Sequence, residues 1–217
     1  MTQPNNSALA GGGDVIATHL VGGKEYQAVV LVGPSGNIYG TRDTYVAYAP
    51  PVSAVGANKL HFDLWNGSAL SMEIQFASFF SSLDVAAVGA VATRIDAFRT
   101  SAAGTGGTAF ATEATTAART LYRADPGGAA VPAAVTMREA PSGGATVGAF
   151  LGSVYTMPEE ASTSIGYETQ WQNIFAGPSG SDAAAAIVVP AGAGMRFAQG
   201  PVASVGFVGC RVVFTLV

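Results

Sequence analysis

Few side chains in this sequence are suited to acid–base or nucleophilic chemistry. There are two histidines, His19 and His61, one cysteine, Cys210, and 14 carboxylates. His19 lies close to the N-terminus. His61 sits between Leu60 and Phe62 in an alternating run, so it is expected on the opposite face from them, as a surface or interface residue. Cys210 lies in the strand-like stretch Gly209-Cys210-Arg211-Val212, where a small buried hydrophobe is the commoner role than a nucleophile. Of the carboxylates, Asp63 and Glu73 are the most suggestive of the paired acid and base of a glycoside hydrolase. They flank Asn66-Gly67 on two alternating runs. The alternation puts both on the non-core face, where a solvated surface is the stronger reading. Glu159-Glu160 follows Pro158 and reads as a solvated turn. No Gly-x-Ser-x-Gly elbow and no Gly-x-x-x-x-Gly-Lys-Ser/Thr loop is present, so the two commonest local signatures of nucleophilic and phosphate chemistry are missing. No zinc-ligand spacing is visible either. The expectation is a non-enzymatic chain with no catalytic residues, no cofactor and no metal.

The composition narrows the partners. The formal net charge is −4 and the isoelectric point is about 5.0. The only lysines, Lys24 and Lys59, are isolated, and nothing resembles the basic footprint that a phosphate backbone demands. A nucleic-acid partner is not expected. Charged residues make up 11% of the chain, against a usual ~25%. Part of this shortfall reflects abundant alanine and 28 glycines, so it is only a weak pointer to buried interfaces. The start, Met1-Thr2-Gln3-Pro4, carries neither the basic nor the apolar region of a signal peptide. The long uncharged stretch 140–158 is broken by Gly, Ser and Pro, unlike a membrane span. A lone cysteine rules out an internal disulfide and fits synthesis in a reducing cytoplasm.

The elements that would position these residues read as strands. Residues 1–13 are polar and then glycine-rich, a flexible leader. Tyr26 to Val32 is rich in β-formers and leads into Gly33-Pro34-Ser35-Gly36, which predicts a small hairpin returning through Asn37–Tyr39. Residues 40–56, with Pro50-Pro51, read as a linker. In Leu60–Phe76, period-2 alternation on both sides of Asn66-Gly67 predicts a second hairpin with a type I′ turn. Further strands are predicted at 88–98, 147–156, 165–175, 184–189, 195–198 and 208–217, and a short helix is weighed at 112–119. Strands separated by Gly- and Pro-bearing turns point to a sandwich or barrel, not to βαβ units. The predicted class is all-β: a β-sandwich or jelly-roll-like body over 56–217, with an extended N-terminal arm, small hairpin and linker over 1–55.

Several segments carry a resemblance. Asp14-Val15-Ile16-Ala17 followed by Val21-Gly22-Gly23-Lys24-Glu25-Tyr26-Gln27 resembles the opening of many structural proteins of tailed bacteriophages. Leu60–Phe76 is similar to the paired alternating strands that often follow in them. Arg94-Ile95-Asp96 with Gly104-Thr105-Gly106-Gly107-Thr108-Ala109 is similar to a further stretch of such proteins. The likeness covers most of 14–110 and, loosely, the C-terminal strands. It departs at Ile16-Ala17-Thr18-His19, where the usual acidic residue is absent.

The resemblance implies a virion component made in the host bacterial cytoplasm: a head decoration or fibre-type protein, or a tail or neck component. It implies the major capsid protein or other virion proteins as partners, and a homo-oligomer, trimers being common in such proteins. On this reading Tyr26, Val29, Leu31, Trp65 and Trp171 are the candidate assembly-interface residues. The apolar run at Val29 is suited to adding a strand to a neighbouring sheet edge, and the tryptophans are suited to anchoring an interface. The alternative is a tail-associated receptor- or glycan-binding module using aromatic groups around Trp65 or Trp171.

Overall fold

The computed structural model describes residues 17–21, 24–28, 43–82, 93–124, 127–143, 147–156, 172–173, 187–203 and 206–217. The chain divides into two compact units, Met1–Arg42 and Asp43–Val217.

The first unit holds an antiparallel pair, β1 (Ala17–Val21) and β2 (Lys24–Ala28), in register from Ala17↔Ala28 to Val21↔Lys24. This pair lies N-terminal to the turn predicted at 33–36. Only Gly22-Gly23 separates the two strands in sequence, and glycine is what a two-residue hairpin connection favours. The predicted turn at 33–36, with Val29 and Leu31, lies outside the described residues.

The second unit is a β-sandwich. Its strands are β3 (Thr44–Ala54), β4 (Leu60–Asn66), β5 (Met72–Ser82), β6 (Thr93–Thr100), β7 (Thr108–Ala109), β8 (Ala111–Thr112), β9 (Thr120–Arg123), β10 (Val135–Glu139), β11 (Val147–Thr156), β12 (Gln172–Asn173), β13 (Ile187–Val189), β14 (Ala193–Gln199) and β15 (Phe207–Leu216). One sheet runs β11-β6-β14-β4-β10-β7, and the other β12-β5-β15-β3-β9-β8 with β13 also on β5. Strands β3, β4, β5 and β6 alternate between the sheets, and the last strand, β15, lies between β3 and β5. This is jelly-roll-type connectivity. No helix occurs among the described residues. The stretch weighed as a helix at 112–119 forms turns, with Glu113 at φ 56° and Ala117 N donating to Ala114 O.

The core lies between the sheets. Phe62, Leu64, Ile95, Met195 and Phe197 come from one side, and Ile74, Phe79, Cys210, Val212 and Phe214 from the other, all fully or almost fully buried. The Phe79 and Phe197 rings meet across the interface at 4.9 Å. Burying each large apolar side chain is worth roughly 1.5–3 kcal/mol, so this layer holds the sheets together without a disulfide.

Two expectations are corrected here. Residues 44–54 are not linker but β3, between β15 and β9, and the unit boundary falls after Arg42 rather than at 55/56. Pro50-Pro51 is tolerated because the β3–β15 register slips there: Ala49 pairs with Cys210 and Ser53 with Val208. Proline is accepted at bulges and strand edges, where no ladder N–H is required. Gly209 faces the slip, where a Cβ would stand 2.9 Å from Ala49 O and from Pro50 C.

Second, β4 and β5 do not form a hairpin. They belong to opposite sheets, β4 between β10 and β14 and β5 beside β15. The Asn66 amide is buried. It donates to Leu70 O (2.8 Å) and Val189 O (3.1 Å) and accepts from Ser68 N (3.2 Å). Gly67 N donates to Ala134 O. These bonds carry the chain across the end of the sandwich. Alternation records which face of a strand is buried, not which strand it pairs with.

Candidate functional site

The chemistry-bearing residues gather mainly on the six-stranded sheet. Cross-strand register sets Arg138, Asp63, Arg196 and Phe98 in one row across β10, β4, β14 and β6. Phe62 and Leu64 point into the core, so Asp63 faces the other way. It is nonetheless only 2% exposed, which corrects the expected solvated position. The loop after β6 covers it: Gly104 N donates to Asp63 Oδ1 at 2.9 Å, while Arg196 Nε lies 3.3 Å from Oδ2.

Glycine permits that close approach. A Cβ on Gly104 would sit 2.9 Å from the Asp63 carboxyl carbon, and one on Gly107, at φ 63°, would sit 2.1 Å from Glu139 O. Thr105 closes the loop through a bridge to Gly143, and Arg138 donates to Gly106 O. The Gly104–Gly107 stretch is therefore a latch that folds over a buried ion pair. Glu73 is on the other sheet, opposite Val188 and Thr215, so the fold does not bring Asp63 and Glu73 together as an acid–base pair.

His61 is also corrected. It is fully buried. The β4–β14 register slips at this point, with Phe62 opposite Phe197 and Leu60 opposite Ala198. The slip leaves His61 as the extra residue of a bulge, which breaks the alternation. Its Nδ1 lies 2.8 Å from Ser53 Oγ on the other sheet, and its Nε2 3.3 Å from Gln199 Oε1. Gln199 Oε1 also accepts from Gly56 N and can only accept, so His61 carries its proton on Nε2 and takes the Ser53 hydroxyl proton at Nδ1. Burial pushes the imidazole pKa down to about 4; the Gln199 bond opposes the shift and Lys59 reinforces it. The ring is thus a neutral bridge between the sheets. Cys210 is buried as expected, its thiol pushed well up by burial.

The candidate interface residues do not converge into one site. Trp65 is half-buried on the six-stranded sheet and packs over two glycines. A Cβ on Gly194 would meet its Cε3 at 2.9 Å, and one on Gly67 its Nε1 at 3.1 Å. Tyr26 lies in β2 opposite His19. Val29, Leu31, Trp171 and Glu159-Glu160 lie outside the described residues.

Among the described residues no three of His, Cys, Asp and Glu converge as a metal site, and no helix is long and apolar enough to cross a membrane. The sequence reading missed the outward side of the β6–β11 pair, where Phe98, Phe150 and Tyr155 surround the Arg94–Asp96 ion pair. The register of β11 slips on both sides of Phe150, which hides its outward residues from a period-2 pattern. No protein-family model, no curated protein and no solved structure matches this chain.

Proposed function

We propose that this chain is a structural component of a tailed-phage particle. In this reading the N-terminal unit docks on capsid or a neighbouring subunit, and the sandwich body oligomerises. The observation that carries the reading is the division into a short N-terminal unit with its own strand pair and a separate jelly-roll-type body. Jelly rolls recur in viral capsid and lectin domains, although a fold alone does not assign a function. The sequence resemblance supports the same reading, and the latch gives its Gly104–Gly107 segment a structural task. The partners on this reading are the major capsid protein or other virion proteins, with further copies of the chain in a symmetric assembly such as a trimer.

The test is removal of residues 1–42. The remaining Asp43–Val217 body should melt cooperatively but no longer co-sediment with particles. Co-sedimentation at full occupancy would overturn the docking role. The second reading, a receptor- or glycan-binding module, is favoured by a specific feature of the body, the exposed aromatic groups on β11.

A further inference from the structure

We propose that the outward side of the β6–β11 pair is a binding site for a neutral oligosaccharide. Three cross-strand pairs build it: Phe98↔Phe150, Asp96↔Ser153 and Arg94↔Tyr155. The neighbouring Ile95, Ala97 and Val154 are buried in the core, so these pairs point outward. Aromatic groups stand at both ends. Phe150 is 58% exposed and Tyr155 60% exposed. Phe98 supports Phe150 edge-on, with ring centroids 5.7 Å apart and planes at 63°. Between the ends, Arg94 Nε and Nη2 both donate to Asp96 Oδ2, at 3.1 and 2.9 Å. Arg94 also reaches the Tyr155 hydroxyl. From Phe98 to Arg94 is four residues, about 13 Å at a rise of ~3.3 Å per residue.

This order fits a short sugar chain. Aromatic faces take the apolar C–H faces of pyranose rings, while carboxylate, guanidinium and hydroxyl groups bond to ring hydroxyls. The ion pair cancels its own charge, which favours a neutral ligand over a phosphate or an acidic sugar. Two further observations mark the site as built. The register slips on both sides of Phe150, and bulges are a device for re-aiming a side chain. A Cβ on Gly200 would stand 2.9 Å from Arg94 Nε, so the guanidinium is seated against backbone.

Two other occupants fit less well. The slips disrupt the β11 edge for an added strand. A stable protein interface needs about 800 Å² per partner around an apolar centre, whereas this patch is two strands wide and polar in the middle.

The site is independent of the particle role, and its test uses the isolated full chain. Maltohexaose, cellohexaose and chitohexaose are titrated by calorimetry against wild type, Phe150→Ala, Tyr155→Ala and Leu70→Ala. Leu70 is exposed away from the patch, in the β4–β5 connection. The expected result is binding of at least one hexasaccharide, weakened about tenfold or more by either aromatic substitution, the loss of one hot-spot contact. Leu70→Ala should bind as wild type, Phe150→Tyr should retain most of the affinity, and Tm should be unchanged throughout. Absence of millimolar binding to all three sugars overturns the proposal. So does binding that survives both alanine substitutions, or a change in sedimentation with the aromatic variants that reveals the patch as a contact between copies.

Discussion

Acidification probes the His61 bridge directly. In the folded chain burial holds this imidazole down to about 4, whereas in the unfolded chain it titrates near 6.5. The unfolded state therefore binds the proton first. Stability contributed by neutral His61 is fully present above pH 6.5, declines as the pH falls, and is gone once the pH passes below the folded value. Between about 4 folded and 6.5 unfolded, at ~1.4 kcal/mol per pH unit, the whole effect is roughly 3 kcal/mol. About 2 kcal/mol of it is lost between pH 7 and 5, before most carboxylates titrate. Urea denaturation of wild type and His61→Gln at pH 7, 6, 5 and 4 measures it. The variant is less stable at pH 7, because it disturbs the bridge to Ser53 and Gln199. The diagnostic quantity is the slope: wild type should lose roughly 2 kcal/mol more than the variant between pH 7 and 5. Parallel pH profiles would refute a buried neutral histidine at this position.

Three further outcomes follow from the same sheet and core. Asp63→Ala removes the carboxylate that Arg196 and Gly104 share; breaking a buried pair in this way should cost about 3–5 kcal/mol, read as a lower urea midpoint. Gly107→Ala forces a Cβ onto Glu139 O at a positive φ and should destabilise by about 1–3 kcal/mol, with Gly192→Ala, where a Cβ meets nothing within 4 Å, costing less. Cys210 should resist a thiol reagent such as dithionitrobenzoate in the native protein and react fully in denaturant, because burial holds it as the thiol; rapid labelling of the folded chain would contradict its place in the core.

The legible and illegible parts of the fold separate on physical grounds. The all-β class and the late strands were readable because the stretches at 147–156 and 208–217 are bounded by Gly and Pro turns, and those strands formed at β11 and β15. The pairing of β4 was not readable. Its alternation fixes an inner face whichever sheet it joins, and Asn66, which suits a tight turn, instead uses its amide to carry the chain between sheets. β3 was hidden by Pro50-Pro51, whose missing N–H groups a register slip accommodates. His61 and Phe150 were misplaced or missed for one shared reason: each sits at a register irregularity, where counting residues no longer gives the face. Asp63 was read as solvated because nothing local reveals that a loop forty residues later will fold over it.

Cryo-electron microscopy of purified virions from cells producing this chain tests the proposed particle role most directly. The expected result is density for the two-sheet body in symmetric copies, with the Met1–Arg42 unit against capsid or a neighbouring subunit. Well-resolved particles that lack such density, with the chain left in the unassembled fraction, would contradict it.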